Sequence, residues 1–224
     1  MFAVIAGAAL LAAGVVAEGE ASAVATGQSQ TWTEADANKP KMKVVPSFVE
    51  GPRAELPESE KALGHHGPVV VQGIIGIDGK MSEARIKLTS NAPVLDQIAL
   101  AAADASTFTP AKDANGAPLP VIISMPFDLV AYKAPGGMGI LQYKCAQFVR
   151  DMDWWKSVNP DKSFKDHELY KMEIGAEMLS LIQRARGDHE ALRQSIAGFE
   201  TRWNAAIDFC RKKPNVLQRD GIYR

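Results

Sequence analysis

VVVQGIIGIDGKMSEARIKL, residues 69–88, decides how this chain folds. Two runs rich in aliphatic residues flank Asp78-Gly79. Asp-Gly between such runs signals a hairpin, because a two-residue type I′ turn needs positive φ at both central positions. Pairing Ile77 with Lys80 then sets Ile75 against Ser82, Gly73 against Ala84, Val71 against Ile86 and Val69 against Leu88, one largely apolar face. The opposite face pairs Val70 with Lys87, Gln72 with Arg85 and Ile74 with Glu83. In the second run Ala84, Ile86 and Leu88 alternate with Glu83, Arg85 and Lys87. A period of two marks a half-buried antiparallel strand.

Downstream, NAPVLDQIALAAADAS reads as a helix with Pro93 in its first turn, a position proline tolerates. Its Leu95, Ile98 and Ala102 form a stripe that covers the apolar face of the hairpin. PLPVIISMPFDLV is the third strand: Leu119, Val121, Ile123, Met125, Phe127 and Leu129 alternate with Pro120, Ile122, Ser124, Pro126 and Asp128. Proline cannot donate to a ladder, so Pro120 and Pro126 predict a sheet edge. Upstream, Glu58 to Gly64 is a short helix after Pro57, and residues 24–54 are expected to be a flexible lead-in with a short extended piece at Met42 to Val45.

KAPGGMG, residues 133–139, is a linker by composition, and beyond it the period changes. Cys145, Phe148, Met152 and Trp155 recur at helical spacing. So do Leu169, Met172, Ala176, Leu179 and Ile182, and then Leu192, Ile196, Phe199, Trp203, Ile207 and Cys210. Breaks fall at NPDKS and at Gly187-Asp188. The expected fold class is α+β: a small antiparallel sheet, β-β-α-β, followed by a three-helix unit. The expected boundaries are 1–23, 24–54, 55–131 and 140–218.

Composition narrows the function. The 224 residues carry a net charge of −1 with 46% hydrophobic and 23% charged residues. That is ordinary globular composition, without the clustered basic excess of a nucleic-acid-binding surface. FAVIAGAALLAAGVVA, residues 2–17, is uncharged and short of the roughly 20 apolar residues of a membrane span. It is followed by Ala21-Ser22-Ala23, a small-x-small pattern. Together they read as a signal peptide cut after Ala23, with an uncleaved inner-membrane anchor as the alternative. Export places the chain in the periplasm, where its two cysteines, Cys145 and Cys210, form one disulfide; in the cytosol they would be two buried thiols.

The sheet unit resembles the C-terminal domain of TonB-type energy transducers. The residues carrying the likeness are Leu56-Pro57 with ESEKAL, Gly64 and Gly67, VVVQGIIGIDGKMSEARI, Leu95-Asp96 and FTPAKDANGAPLPVIISMPFDL, about residues 55–130. The resemblance implies a periplasmic domain that takes an extended segment of an outer-membrane protein beside its last strand. An edge strand offers unpaired backbone groups in any case. The peptide-binding residues expected from it are Leu119, Val121, Ile122, Ile123, Ser124 and Met125. The chain departs from energy transducers in its short apolar run, its spacer of about 30 residues and the nearly 95 residues after the domain.

Catalytic and metal chemistry find little support. Adjacent residues of extended chain point to opposite sides, so His65 and His66 do not readily share an ion. His167 and His189 lie in the helical unit without zinc-motif spacing. His65-His66 therefore reads as a surface turn. Glu173 and Glu177, one helical turn apart, read as a solvated face. Trp154 is either core or partner surface. No phosphate-binding glycine loop and no nucleophile elbow is present. The expectation is a non-enzymatic periplasmic protein without cofactor that binds a protein segment by β-augmentation, in TonB-type transport or as an adaptor. The alternative is a stress or inhibitor-like protein binding through its helical unit.

Overall fold

The computed structural model describes residues 32–133, 139–185 and 189–223, with the side chains of residues 184, 185, 189 and 191 outside the description. The signal segment, the first part of the lead-in, most of the linker and the break at Gly187-Asp188 lie outside the described residues. The elements in chain order are α1 (residues 32–37), β1 (Ser47–Glu50), α2 (Glu58–Leu63), β2 (Gly67–Ile75), β3 (Met81–Leu88), α3 (Pro93–Asp104), β4 (Thr107–Thr109), β5 (Ala111–Lys112), β6 (Pro118–Leu119) and β7 (Val121–Leu129). Four helices follow: α4 (Cys145–Val158), α5 (Glu168–Ala185), α6 (His189–Lys212) and α7 (Arg219–Ile222).

The main sheet is antiparallel in the order β3-β2-β7. The first strand of the hairpin is thus central and β7 is an edge. Val69, Val71 and Ile75 point to one face and are fully buried there against Leu95, Ala99 and Ala103 of α3. Each such side chain contributes about 1.5–3 kcal/mol relative to exposure. Asp96 fastens α3 to the end of β3: its carboxylate accepts the Ser90 N–H at 2.9 Å, the Ser90 hydroxyl at 2.8 Å and the Thr89 hydroxyl at 2.5 Å.

The hairpin differs from the two-residue expectation. Gly76 and Lys80 close the turn, with the Gly76 N–H on the Lys80 carbonyl at 3.0 Å, so the loop is Ile77-Asp78-Gly79. Gly79 has φ +78° and the Asp78 carboxylate accepts the Lys80 N–H at 3.0 Å. A three-residue loop ending in a left-handed glycine is the next preferred solution. The register matches expectation at Val71↔Ile86 and Gln72↔Arg85 but shifts by one towards the turn, where Ile74 pairs with Ser82 and Ile75 with Met81. Glu83, at φ +53°, is the extra residue. Without this bulge Ser82 would face the core and Met81 the solvent. With it Met81 is buried, in space that Gly73 leaves free: a Cβ on Gly73 would lie 2.7 Å from the Met81 Cγ. A second shift pairs Leu88 with Val70 and leaves Leu88 exposed rather than inward.

The expected third strand is two strands. Leu119 belongs to β6, which pairs with β5 in a second small hairpin, and β7 begins only after Pro120. Residues 32–50, expected as part of a flexible lead-in, carry α1, a 3₁₀ turn at Lys39–Lys41 and β1, which pairs with β4. Trp32 of α1 lies over the Arg85 guanidinium at 3.8 Å, and the Asn38 side-chain N–H donates to the Pro120 carbonyl at 3.0 Å. This segment therefore crosses the face of the sheet opposite α3.

The helical unit has its own core. Phe148 meets Trp203 edge-on at 5.3 Å, and Tyr170 meets Phe199 at 4.9 Å and Trp203 at 5.1 Å. A disulfide joins Cys145 at the start of α4 to Cys210 near the end of α6, with their Cα atoms 4.6 Å apart. It fixes the two helices antiparallel at that end. Ile222 of α7 completes the core. The expected stripe of α5 holds only in its first turns: Leu169 is buried, but Leu179 is 63% and Ile182 57% exposed. Helix length explains this. Fourteen residues of α4 span about 21 Å and twenty-four of α6 about 36 Å, so among the described residues the far half of the α5–α6 pair has no third helix against it.

Candidate functional site: the open sheet edge and the junction beside it

β7 has one neighbour, β2, and among the described residues no strand pairs with its other side. The pairing runs from Gly67↔Leu129 to Ile75↔Val121 without interruption. Within it Pro68 stands opposite Asp128, and Val70 opposite Pro126. Antiparallel partners alternate between hydrogen-bonded and non-hydrogen-bonded pairs, and a proline without an N–H belongs to the second kind. Both prolines fall on the same parity. The odd residues Val121, Ile123, Met125, Phe127 and Leu129 thus bond to β2. The even residues turn their backbone groups to the open side: N–H and C=O from Ile122 and Ser124, C=O alone from Pro126. The Pro120 carbonyl shares this parity and is already capped by Asn38.

Of the expected peptide-binding residues, Val121, Ile122, Ile123, Ser124 and Met125 lie together on β7, and Leu119 lies apart from them on β6. Val121 is buried, Ile123 and Met125 are half-buried on the α3 face, and Ser124 is exposed on the other. Lys87 reaches across β2 to donate to the Ser124 hydroxyl at 3.3 Å. The edge thus presents backbone at its centre, apolar side chains below and an ammonium above.

The lower end of the sheet meets the helical unit, where the sequence reading needs correction. His66 is not on the surface: it is 2% exposed and its Nε2 lies 3.0 Å from Nε2 of His167, itself 2% exposed. The Trp154 ring packs at 5.3 Å from His65 and 5.2 Å from His66, and the Trp155 ring at 5.2 Å from His167. Trp154 is therefore junction packing rather than an exposed patch. Burial is the main cause that lowers His66 to about 4 and His167 to about 3. His65 pairs instead with Glu60 at 2.7 Å. Gly64 ends α2 at φ +77°, and a Cβ there would lie 2.5 Å from the Arg150 carbonyl, so α2 and α4 touch backbone to backbone. Lys133 bridges Asp128 of β7, at 3.0 Å, and Glu168 of α5. The 101 residues between the two histidines hide their meeting from any spacing argument.

Two further carboxylates are misjudged by sequence. Glu173 is 5% exposed and accepts the Tyr223 hydroxyl at 2.9 Å, and burial pushes its carboxyl up. Glu177 pairs with Arg202 at 2.5 Å. Both face α6 and α7 rather than solvent. In α4, Asp151 is buried and accepts from the Tyr143 hydroxyl and from Gln147; burial, against these bonds, raises it to about 7. Among the described residues no group of three or more His, Cys, Asp or Glu is placed to hold a metal ion. Nor is any described helix long and apolar enough to cross a membrane.

A three-stranded antiparallel sheet with one covering helix and an open last strand defines a small α+β module of the edge-presenting class. Residues 52–129 match the family model of the Gram-negative bacterial TonB protein C-terminal. The resemblance seen in the sequence is thereby borne out for that segment, about a third of the chain. Domains of this family are transport-associated, non-catalytic and partnered by envelope proteins. No curated protein and no solved structure matches the chain.

Proposed function

We propose that this chain is an exported envelope protein that captures an extended segment of a protein partner on the open edge of β7, in TonB-type transport. The observation carrying this reading is that, among the described residues, β7 is paired on one side only and no strand meets its outward backbone groups at Ile122 and Ser124. An added strand there gains backbone bonds worth about 1 kcal/mol each net, and the half-buried side chains of Ile123 and Met125 supply selectivity. Pro126 shortens the usable ladder to its Val121–Met125 half. The periplasm is the compartment, reached through residues 2–17 as a cleaved signal or held by them as an anchor. The 55–131 and 140–218 segments act as the binding unit and an appended helical unit. Ser124→Pro removes one outward N–H and leaves the bonds to β2. Capture of partners from outer-membrane extract should fall at least tenfold in this variant; undiminished capture sinks the reading.

A second reading has an observation of its own. Leu179 and Ile182 are exposed on α5, which suits a stress or inhibitor-like protein that binds through its helical unit. Capture that survives Ser124→Pro and disappears with Leu179→Glu/Ile182→Glu selects this reading.

A further inference from the structure

The buried histidines at the junction have one consistent set of protons. The Nδ1 of His66 lies 2.8 Å from the Gly64 carbonyl, which only accepts, so Nδ1 carries the proton and Nε2 is an acceptor. The Nδ1 of His167 accepts the Leu169 N–H at 3.0 Å, so its proton sits on Nε2. The 3.0 Å contact is then His167 Nε2–H donating to His66 Nε2. A directed chain runs from the Leu169 N–H through both rings to the Gly64 carbonyl, with both rings neutral and every nitrogen paired.

We infer that this histidine pair is an acid-released latch that holds the helical unit against the sheet. A proton added to His66 Nε2 faces the His167 N–H, and a proton added to His167 Nδ1 faces the Leu169 N–H. Charging either ring breaks a link, in a shell formed by Trp154, Trp155 and Tyr132 with little water to compensate. The charged groups around it do not rescue the cation. Glu60 of α2 is engaged by His65, Glu168 of α5 by Lys133, and Asp151 of α4 by Tyr143 and Gln147; Lys171 of α5 adds repulsion at His167. The same tautomers disfavour a metal on the two Nε2 atoms, which would force the His167 proton onto Nδ1 against the Leu169 N–H. The inference is independent of the peptide-edge reading.

The sign follows from linkage. Both rings bind protons more weakly when docked than the ordinary value of 6.5 allows, so the undocked state takes up protons first and docking weakens as pH falls below 6.5. Between pH 7 and pH 5 the docking constant drops by about twentyfold for each ring that is free to charge. The lower side of the loss lies near 4 for His66 and 3 for His167.

The test uses the intact, disulfide-bonded chain. Long-range ¹⁵N–¹H spectra at pH 7 should show His66 with its proton on Nδ1 and His167 on Nε2. Hydrogen-exchange protection of junction amides, Leu169 among them, should fall from pH 7 to pH 4.5 before that of Val71 in the sheet or Trp203 in the helical core. The double variant His66→Leu/His167→Leu should lose this acid response. Opposite tautomers, a ring charged at pH 6, or junction protection that is flat to pH 4.5 each overturns the latch. So does a double variant that opens in acid as the natural chain does. Should that variant fail to fold, the tautomer and ring-titration measurements on the natural chain decide alone.

Discussion

Gly79 sits against Phe108. The Phe108 N–H donates to the Gly79 carbonyl at 2.8 Å, and a Cβ on Gly79 would lie 2.0 Å from the Phe108 carbonyl oxygen. The hairpin turn is thus clamped to β4, the strand that also carries β1. Gly79→Ala adds both the left-handed strain and this clash. The expected cost is about 2–3 kcal/mol, read as a lower urea midpoint at unchanged slope. A variant within a few tenths of a kcal/mol of the natural chain shows that the clamp is not rigid.

Parity along β7 separates two proline substitutions one residue apart. Ile123→Pro deletes an N–H that bonds to β2 and should cost about 3 kcal/mol. Ser124→Pro deletes an N–H turned to the open side and should cost well under half of that. Thermal unfolding of the two compares them directly, and equal losses contradict the assigned parity.

The Cys145–Cys210 bridge closes a long loop, with a sequence separation of 65. Chain-entropy arguments give it about 4 kcal/mol. Reduction should lower the melting temperature of the helical unit, followed by Trp203 fluorescence, far more than that of the sheet unit. A melting curve unaffected by reductant excludes this role.

Asp151 makes the stability of the helical unit fall with pH. Its carboxyl sits near 7 in the folded chain against 3.8 ordinarily, so from pH 4 to pH 7 the folded state holds the proton that the unfolded state releases. Stability from this group is full below about pH 4 and is lost as pH rises to 7. Asp151→Asn keeps the shape without the charge; Asn donates to the Tyr143 oxygen and accepts from Gln147. The variant should gain on the natural chain from pH 5 to pH 7 and level off above it. Parallel pH curves for the two proteins refute the assignment. His66 and His167 work in the opposite direction over the lower part of that range.

Leu179 and Ile182 sit beyond the reach of α4, so replacing them with Glu should change unfolding free energy by no more than about 0.5 kcal/mol. A loss of 2 kcal/mol or more in urea titration reveals a partner surface within the chain that leaves them buried.

Much of the fold was legible because it rests on local periodicity. The alternation of Val69, Val71, Ile86, Phe127 and Leu129 specified the strands, and Pro120 and Pro126 placed the last one at an edge. The helical repeats of Phe148, Met152, Phe199 and Trp203 specified α4 and α6. The bulge at Glu83 was hidden, since alternation counts residues and takes no account of whether Met81 or Ser82 gains more by facing the core. The ordered stretch of residues 32–50 was hidden too. Its elements are short, and Trp32 and Asn38 find their partners only across the sheet.

The sequence by itself determined the sheet hairpin, its covering helix, the edge position of β7 and the pair of cysteines. These follow from side-chain period, turn chemistry and the missing N–H of proline, all local properties of the chain. The tertiary structure alone decided that His66 meets His167, that Trp154 seals the junction and that Glu173 is buried. Such contacts depend on how two independently patterned units settle against each other. No spacing in a sequence records the free energy of two neutral rings finding one shared proton at 3.0 Å.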